Sequence, residues 1–381
     1  MKSRARKART NSSIMRASVN NNRKGLVIIA VLWTVVVLIA IVAVLGRQTR
    51  LDMKVCMARM DAVRCKWACR AGVEKAIAVL NTDETENDTL LDTWAENAED
   101  FNDVMLERCV LNIRVVDESS KLDINAATKE QLMGLPYMFE EIADAIIDWR
   151  DADDIPSGLG VESGYYEGLD FPYRARNGPF RTIRELLMVK DVTEDLFYGE
   201  DTNFNGQLDY NERDGDETPP NDDGDDELDL GWISYLTCYT SQPGSGQGNQ
   251  DNSNNNNQNN NAQASAKVNV NTAPEYVLSA LLGGVEDENA VSTALAIIDY
   301  RESTENGIEN ISDLTDSGVM TSSEFSEIED YIDVSSDIFT IYCVAAVERN
   351  GTLGAQVRTE FVVDRSSRPF KILFSYHGTS N

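Results

Sequence analysis

Leu26 to Leu45 reads LVIIAVLWTVVVLIAIVAVL, twenty residues without a charge, set directly behind Arg23-Lys24-Gly25. At about 1.5 Å rise per residue such a helix is roughly 30 Å long, the thickness of a bilayer's hydrocarbon core, so the run predicts a membrane span. A helix buried in a soluble core is the competing reading. Uninterrupted apolar runs of about 18 or more are read as spans, and Trp33 and Thr34 do not break this one. Residues 1–25 carry Lys2, Arg4, Arg6, Lys7, Arg9, Arg16, Arg23 and Lys24 and no acid. The positive-inside bias therefore keeps that end in the cytoplasm and exports the chain from Gly46 onward.

An ordinary secretory signal has a shorter apolar core with its small-residue cleavage site behind it. Here the small residue, Gly25, precedes the apolar run. This arrangement resembles the leader of type IV prepilins and type II secretion pseudopilins, in which a membrane peptidase cuts after the glycine and the apolar segment survives as the mature start. The resemblance implies a cut between Gly25 and Leu26 and methylation of the new terminus. The leader is long for the family, and Leu26 stands where Phe or Met is usual. Ala30, fifth after the cut, stands where most members have Glu; the class that lacks that Glu is the minor pseudopilin K.

Composition fits an exported, acidic protein of several parts. Lys plus Arg number 34 against 64 Asp plus Glu; without the eight leader bases the balance is 26 against 64, a net charge of −38. Such a surface repels nucleic acid and anionic headgroups and favours solubility and cations. A chain of 381 residues suffices for two or three domains. The six cysteines, Cys56, Cys65, Cys69, Cys109, Cys238 and Cys343, allow 15 pairings in an oxidising compartment. Cys65 and Cys69, one helical turn apart, suit core-facing thiols better than a metal pair. His377 is the single histidine, and no nucleophile–base pair is readable, so the chain reads as a non-enzyme.

From Gly46 to Leu80 few breakers occur, and Val55, Met60, Val63, Trp67, Val73, Ile77 and Leu80 recur as in a helix. Fused to the span, this makes a helix of about 55 residues, on the order of 80 Å. Val110 to Val116 alternates as a strand, and Leu122 to Asp154 reads as helical with Thr128 as N-cap. That segment recurs: Asp123-Ile-Asn125-Ala-Ala-Thr128 matches Asn269-Val-Asn271-Thr-Ala-Pro274, and Ile146-Ile-Asp148-Trp-Arg150 matches Ile297-Ile-Asp299-Tyr-Arg301. Each copy is followed by a further helix-like stretch, Phe180 to Lys190 and Ile308 to Gly318. Two copies suggest a duplicated helical module rather than a solenoid. Trp232 to Ser241 reads as a strand, Gln242 to Ala266 as a disordered polar loop. Ile338 to Glu348, Ala355 to Val363 and Phe370 to Tyr376 read as strands, with Arg349-Asn-Gly351 as a hairpin turn.

The modules resemble helix-hairpin-helix units, whose DNA-binding versions offer backbone amides to phosphate beside Lys or Arg. Here Leu135-Pro-Tyr-Met-Phe139 and Leu282-Gly-Gly-Val285 are followed by Glu140, Glu141, Glu286, Asp287 and Glu288, so no nucleic acid is expected. The sharpest chemical motif is a calcium loop, D-x-[DN]-x-[DN]-G-x5-E, matched at every position from Asp201 to Glu212. Its oxygen ligands would be Asp201, Asn203, Asn205, the Gln207 carbonyl, Asp209 and Glu212, with Gly206 allowing the turn. Breakers follow from Arg213 to Pro220, so no second EF-hand helix is expected. Thirteen acids and one base lie between Glu200 and Asp229, a density that stays disordered unless cations neutralise it. A second, looser site would use Asp222, Asp223, Asp225 and Asp229; a solvated acidic loop is the alternative.

Nearly the whole chain is similar to the minor pseudopilin K family of the type II secretion system. The matching features are the Gly25 leader, Ala30, LDINAAT, AIIDWRDADD, Tyr173 to Phe180 ahead of Thr182 to Leu187, and VNVNTAP. That resemblance implies an α+β, type IV pilin-like fold: a long N-terminal helix, a small antiparallel sheet, and a large α-helical domain inserted in it, made of two helix-hairpin-helix modules. It divides the chain into a leader (1–25), a transmembrane and stem helix (26–80), a loop and first strand (81–120), a first module with the calcium loop (121–231), a strand and Asn-rich linker (232–266), a second module (267–333) and late strands (334–381). It also implies bound calcium, single-pass insertion in the inner membrane, cleavage by prepilin peptidase, and assembly with minor pseudopilins I and J, other pseudopilins and the inner-membrane platform. The expected role is to start and cap a pseudopilus that exports proteins across the outer membrane. The alternatives are a membrane-anchored calcium-responsive surface protein and a DNA-uptake receptor.

Overall fold

The computed structural model describes residues 22–83, 86–201, 220, 228–240, 266–349 and 352–380. The chain divides into two compact units, Met1–Met60 and Asp61–Asn381. Helix α1 (Asn22–Thr82, 61 residues) supplies the described structure of the first unit and, with residues 61–82, opens the second. In the first unit the apolar side chains from Leu26 to Leu45 are bare, from 45% exposed at Val35 to 72% at Leu26. This helix is long and apolar enough to cross a membrane. Apolar surface left in water costs roughly 25 cal/mol per Å², so a bare run of this kind needs lipid or another apolar partner.

The second unit has nine described strands: β1 (Val104–Leu106), β2 (Cys109–Asp117), β3 (Leu122–Asp123), β4 (Leu236–Thr237), β5 (Val268–Asn269), β6 (Ile332–Asp333), β7 (Ile338–Arg349), β8 (Thr352–Asp364) and β9 (Lys371–Ser380). Five of them form an antiparallel sheet in the order β1-β2-β7-β8-β9. On this sheet lies a stripe of α1, Cys65, Cys69, Val73, Ala76 and Leu80, at helical spacing and at most 1% exposed. It meets Ile113, Phe339, Cys343 and Val357. The bulky Val63 and Trp67 of the same helical run are exposed, Trp67 by 70%. The cause is close approach: a Cβ at Gly72 would sit 2.8 Å from Cys343 Sγ and 3.3 Å from Ile113, so small residues line the seam. The core-facing reading of Cys65 and Cys69 holds; burial, with the Cys109 thiol beside it, pushes the Cys65 thiol up to about 12.

β2 leaves the sheet at Asp117 and β7 returns beside it, with Asp117 opposite Phe339. The intervening residues are therefore an insertion whose two ends meet. It contains the duplicated module, and the duplication is exact enough to follow atom by atom. In the first copy β3 pairs parallel with β4; in the second β5 pairs parallel with β6. After β3 come α3 (Lys129–Met133) and α4 (Glu140–Arg150), then α5 (Ser163–Tyr166) and α6 (Glu194–Tyr198) ahead of β4; after β5 come α7 (Glu275–Leu282) and α8 (Glu288–Ser303), then α9 (Asp313–Asp316) and α10 (Ser322–Ile328) ahead of β6. The remaining helix, α2 (Ala98–Phe101), precedes β1. The Asn125 amide exchanges hydrogen bonds with the Phe180 backbone, and the Asn271 amide does the same with Ile308. Arg150 donates to the carbonyls of Ile124 and Ala127; Arg301 donates to those of Val270 and Ala273 at 2.9 and 2.7 Å. Each arginine thus ties its second helix back to its opening turn.

Two adjacent acids at the end of β2 anchor the copies. Asp117, 2% exposed, accepts from Ser336 and Thr272 hydroxyls at 2.6 and 2.5 Å and from the Asn269 amide at 3.2 Å, all in the second copy. Burial pushes its carboxyl up while these donors pull it down. Glu118, 3% exposed, pairs with Lys121 at 2.8 Å and accepts from Thr237 of the first copy and from Thr340 of β7. Every buried charge there has a partner, which is the condition for keeping one in a core.

Several expectations change. The run from Leu122 opens as a strand before its helices, and the Thr128 cap closes a full capping box with Gln131. Trp232 to Ser241 is not an extended strand: Trp232–Ser234 is a 3-10 turn and only β4 is paired, because Trp232, Ile233, Tyr235 and Leu236 bury on several sides rather than on one pleated face. The hairpin turn at 350–351 and the Asn-rich tract 242–265 lie outside the described residues.

Candidate functional site

The hairpin tips are where such modules would meet phosphate. Gly283 and Gly284 take φ of 142° and 101°, a backbone that favours glycine. The two tips pack on each other: a Cβ at Gly134 would lie 2.8 Å from Ala280 Cα and 3.0 Å from Gly284 Cα, and the Val285 N–H donates to the Gly134 carbonyl at 3.2 Å. The tips are turned into a protein contact and ringed by acids. Gly134→Val should force the copies apart and cost about 1–3 kcal/mol, seen as a lowered Tm, whereas Gly164→Ala, whose Cβ meets nothing within 4 Å, should leave Tm unchanged.

Of the proposed calcium ligands only Asp201 and Asp229 are described; Asn203, Asn205, Gln207, Asp209 and Glu212, with Asp222, Asp223 and Asp225, lie outside the described residues. Asp201 is 3% exposed and faces Arg114 at 3.6 Å. The Glu200 N–H donates to the Asp229 carbonyl, and the Asp229 N–H donates back to Glu200, each at 3.0 Å. Gly199 and Gly231 lie so close that a Cβ on Gly199 would be 2.2 Å from Gly231 N. Gly199–Asp201 and Asp229–Gly231 are therefore drawn together into one pinched neck. Asp201 stands at that neck, and the Asp229 backbone is bonded to Glu200.

Two other acid clusters bring three carboxylates within 4.8 Å of one another. In the first, Asp83, Asp88 and Asp92, the Arg365 guanidinium already donates to Asp83 at 2.8 Å and to both Asp88 oxygens. In the second, Asp148, Asp151 and Glu162, no Lys or Arg among the described residues forms an ion pair with any member. Burial, reinforced by Asp148, Asp151, Asp154 and Asp153, pushes the Glu162 carboxyl up to about 7. Sequence reading passed over this trio. The run Asp148-Trp-Arg-Asp151-Ala-Asp153-Asp154 was its only signal, and nothing in it says which acid is buried. The single histidine, His377, sits on β9 against Phe361.

Residues 112–198 match the family model described as type II secretion system (T2SS), protein K. Type II secretion system protein K of Pectobacterium carotovorum subsp. carotovorum is 41% identical over 58 residues, 15% of this chain and 18% of that protein. Its counterpart from Aeromonas hydrophila is 38% identical over 72 residues, 19% of this chain and 22% of that protein. The chain thus spans about a fifth of the length of the curated relatives it matches. In fold it is similar to a chain of the GspK-GspI-GspJ complex from the enterotoxigenic Escherichia coli type 2 secretion system, with a TM-score of 0.56 at 16% identity, covering 87% of this chain and 100% of that one.

Proposed function

We propose that this chain, which carries a type II secretion system protein K domain across residues 112–198, is the system's minor pseudopilin K, standing at the tip of its pseudopilus. The observation that carries the reading is a pilin-like helix and sheet with a bulky helical insertion between neighbouring strands β2 and β7. The role is mechanical. The Leu26–Leu45 segment would anchor the protein once in the inner membrane, with residues 1–25 cytoplasmic and the body periplasmic. Prepilin peptidase would free Leu26, and the exposed apolar helix would pack with those of minor pseudopilins I and J, a partnership supported by the likeness to the GspK-GspI-GspJ complex. Other pseudopilins would then add below, fed by the inner-membrane platform. The insertion would block addition above, so this subunit starts the filament.

Calcium fits the same reading. The donor set of Asp201, Asn203, Asn205, Gln207, Asp209 and Glu212 is hard oxygen throughout, which suits calcium, and an ion there would neutralise and order the acidic segment beyond the Glu200–Asp229 neck. Asp222, Asp223, Asp225 and Asp229 would supply any second ion. Deleting the gene should stop release of type II substrates into the medium, with plasmid-borne chain restoring it; normal release from the deletion strain would end the proposal.

A further inference from the structure

Four of the six cysteines lie in one core, between the stem and the sheet, and they meet in twos. Cys65 and Cys69, on successive turns of α1, are 0% exposed; Cys109 on β2 is 3% exposed and Cys343 on β7 is 0% exposed. The Cys65 thiol is hydrogen-bonded to that of Cys109. The Cys69 thiol is hydrogen-bonded to that of Cys343, whose backbone carbonyl it also reaches at 3.4 Å. The sheet register brings this about. Cys109 pairs with Val347 and Cys343 with Ile113, so both cysteines fall on the face of neighbouring strands that carries α1. Gly72, with no Cβ, lets the helix settle against the Cys343 sulfur. Apolar packing alone does not ask for this pattern, since a free cysteine packs as a small hydrophobe and alanine or valine would fill the seam as well. Four thiols matched two by two is the arrangement that a bond between them requires. The other two stand elsewhere: Cys56 is exposed on α1, and Cys238 is buried in the core of the insertion.

We infer that the exported chain carries two disulfides, Cys65 with Cys109 and Cys69 with Cys343, which tie successive turns of the stem helix to β2 and β7. The inference rests on the proposed function for the periplasmic placement of the body; the pairing itself comes from the geometry. Each bond forms by exchange with an oxidised dithiol carrier. One thiolate of the pair attacks the carrier's disulfide and a carrier sulfur leaves as thiolate. The partner thiolate then attacks the mixed disulfide and releases the other carrier sulfur. Two S–H bonds are lost and one S–S bond forms, and the two protons and two electrons leave with the carrier as its dithiol. The exchange belongs to folding, before the stem docks. Afterwards all four sulfurs are shut away from a carrier, and the Cys65 thiol is pushed up to about 12, chiefly by burial. The second bond joins residues 274 apart, so it restrains a long loop of the unfolded chain. A pull along α1 then passes into the sheet through covalent bonds rather than through packing.

The test takes the full chain from the membranes of cells that produce it, dissolves it in denaturant with N-ethylmaleimide to block free thiols, and maps its unreduced peptides by mass spectrometry. Two cross-linked pairs are expected, Cys65 with Cys109 and Cys69 with Cys343, with maleimide only on Cys56 and Cys238. Cys343→Ala should add maleimide to Cys69 alone, and Cys109→Ala to Cys65 alone. Thermal unfolding of the parent chain in detergent should fall by roughly 10 °C in a phosphine reductant, a shift that four merely packed thiols would not give. Labelling of the exposed Cys56 in whole cells, by a maleimide that cannot cross the inner membrane, reports export separately. Maleimide on the four core cysteines of a chain whose Cys56 is labelled from outside would overturn the inference, as would any other pairing. If Cys56 stays unlabelled, the placement fails rather than the pairing, and reduced chain refolded in a glutathione redox buffer decides. The same two bonds would then uphold the pairing, and other bonds or none would overturn it.

Discussion

A chain carrying Gly25→Val is expected to reach the membrane folded and uncut. A Cβ at Gly25 meets nothing within 4 Å, and residue 25 lies in the helical run of α1, so neither packing nor backbone geometry asks for glycine there. What asks for it, on the proposed function, is the peptidase, whose site must pass the residue before the cut. One added methylene in a fitted pocket changes turnover by about 10- to 200-fold, and valine adds more than that. Mass measurement should find parent chain beginning at Leu26 and the variant retaining residues 1–25, with secretion lost alongside. A variant whose mature form still starts at Leu26 would refute the processing scheme.

The second large effect is expected at the root of the insertion. Glu118→Gln would leave the Lys121 ammonium, 5% exposed, without its counterion, and removing one partner of a buried pair costs about 3–5 kcal/mol. Lys121→Met should be comparably harmful for the opposite charge. The double variant should lose less than the two single variants summed, because the amide can still bond Thr237 and Thr340, giving a coupling of roughly 2 kcal/mol in the Tm-derived cycle. Additive losses would show that the pair does not hold the first copy in place. Burial, the largest single influence, lowers the lysine's pKa, but the Glu118 charge and hydrogen bond together with Tyr342 and Glu360 outweigh it and hold the ammonium above the usual range. The pair's stabilisation is therefore full below the unfolded lysine value of about 10.4 and fades as pH rises through the folded one.

Local signals in this chain are legible because they are local. The Leu26–Leu45 run, the alternation in β2, the capping box at Thr128 and the three late strands each depend on neighbours within a few residues. The duplication is legible as a pattern of letters. Its purpose is not, since Asn125 finds Phe180 55 residues away and Arg150 finds Ile124 26 residues away. The stem is half legible: its helix is plain and Val73, Ile77 and Leu80 mark the packed face, but Val63 and Trp67 lie off the seam, where glycine, cysteine and alanine allow the closest approach to the sheet. The Asp148 trio is illegible for a related reason. Its acids look solvated in a run of acids, and only the path of residues 151–162 over α4 takes two of them out of water.

The two copies of the module are close to superposable in their arginine and asparagine ties, yet they cannot trade places. Where the first has Asp123, bonded to its own Thr240, the second has Asn269, which bonds its own Ser336 and reaches Asp117 at 3.2 Å. Transplanting the first copy's turn into the second position would bring two acids to that spacing, a repulsion of about 4–5 kcal/mol at an effective dielectric of 20. A single amide in place of an acid therefore separates a self-contained unit from one that grips its neighbour, and it gives the insertion a fixed top and bottom.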